Sequence, residues 1–265
     1  MIKYMKPMNN NEISAVEKIF TKGNWYHTFE FNELRSPGTF DYSEKIENLK
    51  IPNLSGMSVL DVGCSDGYFS YYFKDKLKAK KVLGIDYNQY DGSVNFDVLN
   101  NFMEEQSNKH RSHNDYSVLK EAYSVLGLND SNKFNFIKKI FNLDIEFKKA
   151  SIYNLEDLDN FDVTFCGSLL EHLRDPLTAI EQLYFKTKEF CVIDVSNPFN
   201  RLNILQLPIL KYSGASGHFY RLSENATKLM MEKIGFKNVQ IISKYKIKNL
   251  KHGNMQKHFV IYGEK

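Results

Sequence analysis

The sequence predicts an α/β protein built on a doubly wound, seven-stranded sheet whose last strand runs antiparallel. Three observations predict it. From Ser58 onward, apolar runs of strand length recur with helical or irregular segments between them, as parallel strands buried on both faces require. The first run leads into a glycine-punctuated turn, VLDVGCSDGYFS over residues 59–70, after which the chain enters a helix. The last two runs, NVQIISKYKIK and QKHFVIYG, are separated only by a short turn around LKHGNM, so they form a hairpin that ends the sheet with antiparallel pairing.

The totals agree with a globular enzyme-sized chain. Its 265 residues, 42% hydrophobic, can bury one large core or two small ones. No apolar run reaches the roughly 18 residues needed to span a bilayer, and the polar start MIKYMKPMNNNE lacks the apolar stretch of a secretory signal. The expectation is a cytoplasmic protein without membrane contact. Cys64, Cys166 and Cys191 each lie in or beside an apolar run, where a free thiol packs as a small hydrophobe, and their odd number opposes a disulfide framework. With 35 basic against 32 acidic residues, net charge +3, composition alone supplies no broad phosphate-binding face.

Taken in order, residues 11–22 place Ile13, Val16, Ile19 and Phe20 at helical spacing behind an Asn11 cap. The aromatic-rich stretch that follows, broken at Pro37-Gly38, reads as an ordered arm lying across something. Residues 1–50 therefore form an N-terminal helix and arm ahead of a domain over 51–265. Its strands are SVLDV, KVLGID, DIEF, FDVTFC and FCVIDV. Between the second and third lies an insertion, residues 88–143, too long for a simple crossover. FDVLNNFMEEQ and DYSVLKEAYSVLG read as two helices in it, near the carboxyl ends of the strands. After the fifth strand, PFNRLNILQLPILKYSGASGHFYRLS reads as a long irregular connection. A helix capped by Ser223 and ended by Gly235 then covers the sheet with Leu229, Met230, Met231 and Ile234. Lys244, Lys246 and Lys248 alternate as the wet face of the next strand.

The turn after the first strand presents backbone N–H groups and a helix amino terminus to a ligand, with Gly63 and Gly67 keeping side chains out of the way. Asp86, closing the second strand 23 positions beyond Gly63, stands where a carboxylate accepts ribose hydroxyl protons. Dinucleotides fit poorly, because Ser65 replaces the glycine that lets a pyrophosphate approach. A nucleoside without pyrophosphate has no need of that glycine, and Asp61 can accept from an amino group or order a water beside it. S-adenosylmethionine meets those demands.

The motifs DVGCSDG with GIDY, ASIYNL and FCGSLLEHLRDP together resemble those of Rossmann-like class I S-adenosylmethionine-dependent methyltransferases. WYHTFEF, SPGTFDY and GSLLEHLRDP are similar to the branch related to tRNA wobble-uridine methoxy and carboxymethoxy methyltransferases, a branch that also covers chains of unknown small-molecule or sugar specificity. The resemblance implies that Gly63, Ser65 and Gly67, with Cys64 among them, border the methionine moiety. It implies that Asp86, with Tyr87 beside it, holds the ribose, and that Ser151, Ile152 and Tyr153 flank the adenine. Gly167, Ser168 and Leu169 would lie beside the sulfonium. Ser65 and the insertion depart from the family pattern, and the insertion is expected to serve acceptor recognition.

Methyl transfer from a sulfonium is an in-line displacement, in which a base is needed only if the acceptor must lose a proton. His172 and Glu171 follow the fourth strand closest to the donor and are the catalytic candidates, although an E-H pair also caps helices. His27 is a third candidate if the arm folds over the cofactor, where Trp25 would stack on it, the alternative being a surface aromatic clamp. Asp194 and Asn197 end the fifth strand, where acceptors bind in this architecture. Arg201, Lys211, His218, Tyr220 and Arg221 in the late connection suit a phosphate- or carboxylate-bearing acceptor, or are scattered surface charge. Glu171, His172 and Asp194 could converge on a metal, but no ligand spacing of recognised specificity is present and no metal ligand is assigned. The preferred expectation is O-methylation of a polar or anionic small molecule or sugar derivative. The alternatives are a tRNA acceptor met by Lys244, Lys246, Lys248, Lys251 and Lys257, and a non-catalytic cofactor-binding regulatory subunit.

Overall fold

The structure is a computed structural model that describes residues 8–43, 46–87, 113–128, 132–196, 206–215 and 218–265. Helix α1 (Asn10–Lys22) leads into a small hairpin of β1 (Glu30–Phe31) and β2 (Leu34–Arg35). The main unit then runs β3 (Ser58–Val62), α2 (Tyr68–Asp75), β4 (Lys81–Asp86), α3 (His113–Val125), α4 (Lys133–Ile140), β5 (Glu146–Lys149) and β6 (Phe161–Gly167). It continues through α5 (Pro176–Lys186), β7 (Thr187–Ser196), the hairpin β8 (Leu210–Ala215) and β9 (His218–Leu222), α6 (Glu224–Ile234), β10 (Lys237–Lys248) and β11 (Met255–Glu264).

Seven strands form one sheet in the order β10-β11-β7-β6-β3-β4-β5. β3 pairs in parallel with β4 on one side and β6 on the other, β4 with β5, and β6 with β7. β11 pairs antiparallel with both β7 and β10. The doubly wound sheet with its antiparallel ending is therefore as expected. The chain leaves β3 in one direction towards β4 and β5 and returns on the other side at β6. That reversal is the switch point above which ligands bind in such sheets.

Alternation along the strands divides the core between the two faces. Val59 and Val82 join one cluster with Ile19, Phe20, Trp25, Phe73, Phe134 and Phe165. Leu60, Val62 and Ile85 join the other with Ile180, Leu183, Met231 and Phe259. The arm is thus part of the wall of the first face. The two clusters are filled by branched aliphatics and aromatics, each worth about 1.5–3 kcal/mol when fully buried.

Several local expectations are corrected. The α1 cap is Asn9, not Asn11, because its side chain accepts from the Asn11 and Glu12 amides while Glu12 reaches back to the Asn9 amide. DYSVLKEAYSVLG forms most of α3, and FDVLNNFMEEQ lies outside the described residues. Helix α4 was not anticipated; Asn132 caps it and Phe134, Phe136, Ile137 and Ile140 are buried. The third strand sits two residues later than DIEF, as a largely exposed edge. The supposedly irregular late connection contains the β8–β9 hairpin, pairing Leu210 with Leu222 and Tyr212 with Tyr220. Leu229 is exposed, whereas Met231 is buried as expected.

Candidate active site

The turn between β3 and α2 is built from left-handed backbone. Gly63, Ser65 and Gly67 have φ of 76°, 50° and 85°. Ser65 thus adopts the conformation that glycine takes at little cost, which answers how a serine occupies this turn. A side chain at Gly67 would begin 2.9 Å from the Phe134 ring, and one at Gly63 would begin 3.0 Å from Leu169. The described part of the insertion therefore packs on the turn itself.

The amides of this turn are largely spent within the fold. Gly63 and Cys64 both donate to the Ile85 carbonyl, at 2.9 and 3.0 Å, and Gly67 donates to the Cys64 carbonyl. Ser65 donates to Asp86 Oδ2 at 2.8 Å, which joins the turn to the end of β4. Amides so committed make a poor cradle for a pyrophosphate. Three carboxylates, Asp61, Asp66 and Asp86, stand in or beside the turn instead. Burial pushes the Asp61 carboxyl up to about 7, against a 2.6 Å hydrogen bond from Ser70 and the nearby His27, with Asp86 adding to the rise. A site that concentrates negative charge fits a ligand bearing cationic sulfonium and ammonium groups and hydroxyl donors, and repels phosphates. The Cys64 thiol is buried, and burial also pushes it up, so only its backbone faces the turn's business.

The arm is fastened to the same turn by an aspartate the sequence reading passed over. Asp66, 2% exposed, accepts from the Tyr26 amide at 3.0 Å and the His27 amide at 2.8 Å through Oδ2. Its Oδ1 meets His27 Nδ1 at 2.5 Å. Burial acts to raise the Asp66 carboxyl, yet the charge and hydrogen bonds of His27 hold it below the ordinary carboxylate range. The arm crosses itself where Gly38 leaves no room for a side chain, whose first carbon would fall 2.3 Å from the His27 backbone. His27 is accordingly a latch, buried and stacked on Tyr68, and not a group presented for reaction. Trp25 is corrected too: it is 1% exposed, gives its indole N–H to the Ile19 carbonyl and packs on Phe20, Phe29 and Phe136, so it is core rather than a cofactor cover.

On the far side of the switch point, β6 ends in Gly167 and turns through Ser168, whose φ is 48°. The Ser168 amide donates to the Asp194 carbonyl and its hydroxyl to Asp194 Oδ2, at 2.8 and 3.0 Å. Asp194 is fully buried at the end of β7. It also holds His258 Nδ1 at 3.1 Å and accepts from the Tyr245 hydroxyl at 3.0 Å. Tyr42 of the arm lies 3.4 Å from the Tyr245 oxygen. Glu171, 2% exposed, follows on a 3-10 turn, and its Oε2 has no hydrogen-bond partner among the described residues.

The β8–β9 hairpin folds over that 3-10 turn and brings the rings of His172 and His218 to 4.4 Å. Two candidates chosen from separate segments thus meet. Tyr220 and Arg221 lie half-buried on the same hairpin, with Arg221 opposite Lys211. Asn197 and Arg201 lie outside the described residues. At the other end of the site, Tyr87 is exposed beside the Lys149 ammonium. Ile152 is buried, the Ser151 hydroxyl accepts from the Tyr153 amide, and the Tyr153 hydroxyl accepts from the Asp175 amide at the start of α5. Asp66, Tyr42, Tyr245 and His258 were missed. The one available signal was His258 itself, a titratable residue directly before the apolar run Phe259–Tyr262.

Sheet order, turn and carboxylates together define a class I S-adenosylmethionine-dependent methyltransferase. Comparison with known proteins agrees: residues 37–241 match the methyltransferase domain family, and the chain belongs to it. It is similar to the tRNA U34 carboxymethyltransferase of Helicobacter pylori strain J99, 26% identical over 240 residues, covering 88% of this chain and 77% of that one. The enzyme of that name from Helicobacter acinonychis is 25% identical over 242 residues, covering 89% and 78%. Among solved structures, the N-terminal domain of EvdMO1 in the presence of SAH and D-fucose shares the fold, with a TM-score of 0.61 at 14% identity over 97% of each chain.

Proposed function

We propose that this cytoplasmic enzyme transfers the methyl group of S-adenosylmethionine to a hydroxyl oxygen of a polar small molecule or sugar derivative. The observation that carries the reading is the meeting of His172 and His218, which joins the 3-10 turn after β6 to the β8–β9 hairpin. Residues of the turn, Gly63, Ser65 and Gly67, would border the amino-acid moiety, Asp86 the ribose, and Ser151, Ile152 and Tyr153 the base. The sulfonium supplies an activated methyl group and a neutral thioether leaving group. What the chain adds is alignment and dryness: the hairpin and the latched arm hold the acceptor oxygen in line and exclude competing water. Half-buried Tyr220 and Arg221 on the same hairpin carry hydrogen-bond donors suited to a hydroxylated or anionic acceptor. The whole-length fold likeness to a domain studied with SAH and D-fucose supports a sugar-like acceptor.

The test is S-adenosylhomocysteine release with S-adenosylmethionine and a panel of free hexoses, 6-deoxyhexoses and their nucleoside diphosphates, against total tRNA. Turnover with a sugar and none with tRNA is expected; turnover with tRNA alone overturns the reading. A second reading, a tRNA acceptor, is favoured by the Helicobacter relatives and by Lys246 standing directly opposite Lys257 on the β10–β11 hairpin. It requires tRNA binding that falls steeply with salt.

A further inference from the structure

We infer that His258 takes the proton of the acceptor hydroxyl, with Asp194 setting the tautomer that makes this possible. The inference rests on the O-methylation reading above and adds the group that receives the proton. Asp194 Oδ2 lies 3.1 Å from His258 Nδ1, so a neutral ring donates its Nδ1–H to the carboxylate and keeps its lone pair on Nε2. Tyr245 stacks on the ring at 5.1 Å and 24°, and donates to the other oxygen of the same carboxylate, so neither ring nor carboxylate is free to turn.

Nε2 is buried and has no hydrogen-bond partner among the described residues, and the same holds for Glu171 Oε2. Leaving a buried polar atom unpaired costs about 1–3 kcal/mol, and such orphans in native proteins mark strain, a catalytic role or a partner supplied from outside the chain. With the proton on Nδ1, Nε2 is an acceptor, so the ligand that satisfies it brings a hydroxyl donor. Its position agrees with this: His258 pairs with Ser196 at the carboxyl end of β7, and Asp194 is bound through Ser168 to the turn that ends β6.

The electrostatics suit a base. Burial pulls the imidazole down, but Asp194, and then Glu171, pull it further up, and the net direction is upward from the ordinary histidine value. The groups facing it are Asp194 from β7, Tyr245 from β10 and Glu171 from the 3-10 turn, with Tyr42 of the arm behind Tyr245. In the step itself the acceptor O–H bond breaks and its proton goes to Nε2. The electron pair left on oxygen forms the bond to the methyl carbon, and the pair of the broken carbon–sulfur bond stays on sulfur. The imidazolium, stabilised by Asp194, gives its proton to water after product leaves.

Ring-nitrogen NMR of the full chain bound to S-adenosylhomocysteine tests this without turnover. Nδ1 is expected to stay protonated throughout while Nε2 titrates above pH 6.5, and Asp194→Asn is expected to lower that midpoint by at least tenfold in proton affinity. A proton resident on Nε2 with Nδ1 bare, or an Nε2 midpoint below 6.5 in the unaltered protein, overturns the assignment. With a sugar that supports turnover, kcat should rise with pH through the same midpoint. His258→Gln should lower kcat by 100-fold or more and leave S-adenosylhomocysteine affinity within twofold. Retention of more than a tenth of kcat by His258→Gln also overturns it. If neither sugars nor tRNA turn over, the functional reading falls, and the NMR titration still decides the state of His258.

Discussion

His27 and Asp66, 39 residues apart, form a closed ring of contacts in which one carboxylate binds both the backbone and the side chain of the same histidine. The pair is buried on both sides. It turns the N-terminal arm from an appendage into a wall of the turn between β3 and α2, since Asp66 immediately precedes Gly67. Asp66→Ala leaves His27 and two amides without their partner, and the expected loss is about 3–5 kcal/mol in denaturant unfolding. Asp66→Asn should lose less, because an amide oxygen still accepts from the backbone. Equal losses in the two variants would deny His27 its charge-based part.

The same pair sets an acid limit. A carboxyl held below its unfolded value stabilises the fold above that value, near 3.9, and the contribution is lost as pH falls through the folded value. Unfolding midpoints measured from pH 6 downward should therefore drop more steeply in the unaltered protein than in Asp66→Asn. Parallel curves would remove Asp66 from the acid response.

Asp61 works with the opposite sign. Its folded value of about 7 exceeds the unfolded one, so the native state holds a proton that the unfolded state releases. Stability from this group is full below the unfolded value and declines as pH rises towards 7. A cationic cofactor beside it favours the carboxylate, so binding at pH 7 should expel about half a proton. Calorimetry of S-adenosylmethionine binding in buffers of different ionisation enthalpy reads that number directly, and Asp61→Asn should bring it to zero. A buffer-independent enthalpy in the unaltered protein would count against it.

What the sequence made legible was what local pattern encodes. The strand runs around Val59, Val82, Val163 and Val192, the glycine turn and the spacing to Asp86 are all properties of short windows. What it hid was long-range pairing. Asp66 reads as an ordinary turn residue until His27 arrives from 39 positions away, and His258 meets Asp194 across 64. The β8–β9 strands have weak alternation of their own, and their packing on the 3-10 turn at Leu170–His172 is tertiary. Helix α4 carried a readable cap in Asn132, but its eight residues were too short for the helical period to stand out in a long insertion.

Ser65 offers a test of the turn in the stabilising direction. A left-handed non-glycine residue costs about 1–2 kcal/mol, and glycine returns about 0.5–1 kcal/mol of that through its freer unfolded chain. Ser65→Gly should therefore gain about 0.5–1 kcal/mol in urea unfolding and leave S-adenosylhomocysteine affinity unchanged, while its amide still binds Asp86. Gly67→Ala should do the reverse, losing both stability and affinity, because φ is 85° and the new carbon meets Phe134. A destabilised Ser65→Gly would mean that its hydroxyl, and not its backbone, is what the turn requires.

The arm also reaches Asp194 at the end of β7 through two tyrosines. Tyr245 donates to Asp194, so its oxygen is left to accept from Tyr42, and the two hydroxyls act in series. Burial drives both phenols well above their ordinary values, with Asp194 next in effect, so they remain donors at any pH the enzyme meets. Tyr245→Phe removes one hydrogen bond to a buried charge, an expected loss of about 1.5–3 kcal/mol. Tyr42→Phe removes a longer contact to a neutral oxygen and should cost about 0.5–1.5 kcal/mol. Because the second bond has no acceptor once Tyr245 is gone, the double variant should be more stable than the sum of the two losses predicts, by about 0.5 kcal/mol or more. Urea unfolding of the four proteins closes this cycle. Losses that add to within about 0.3 kcal/mol would mean the arm and Asp194 are energetically separate.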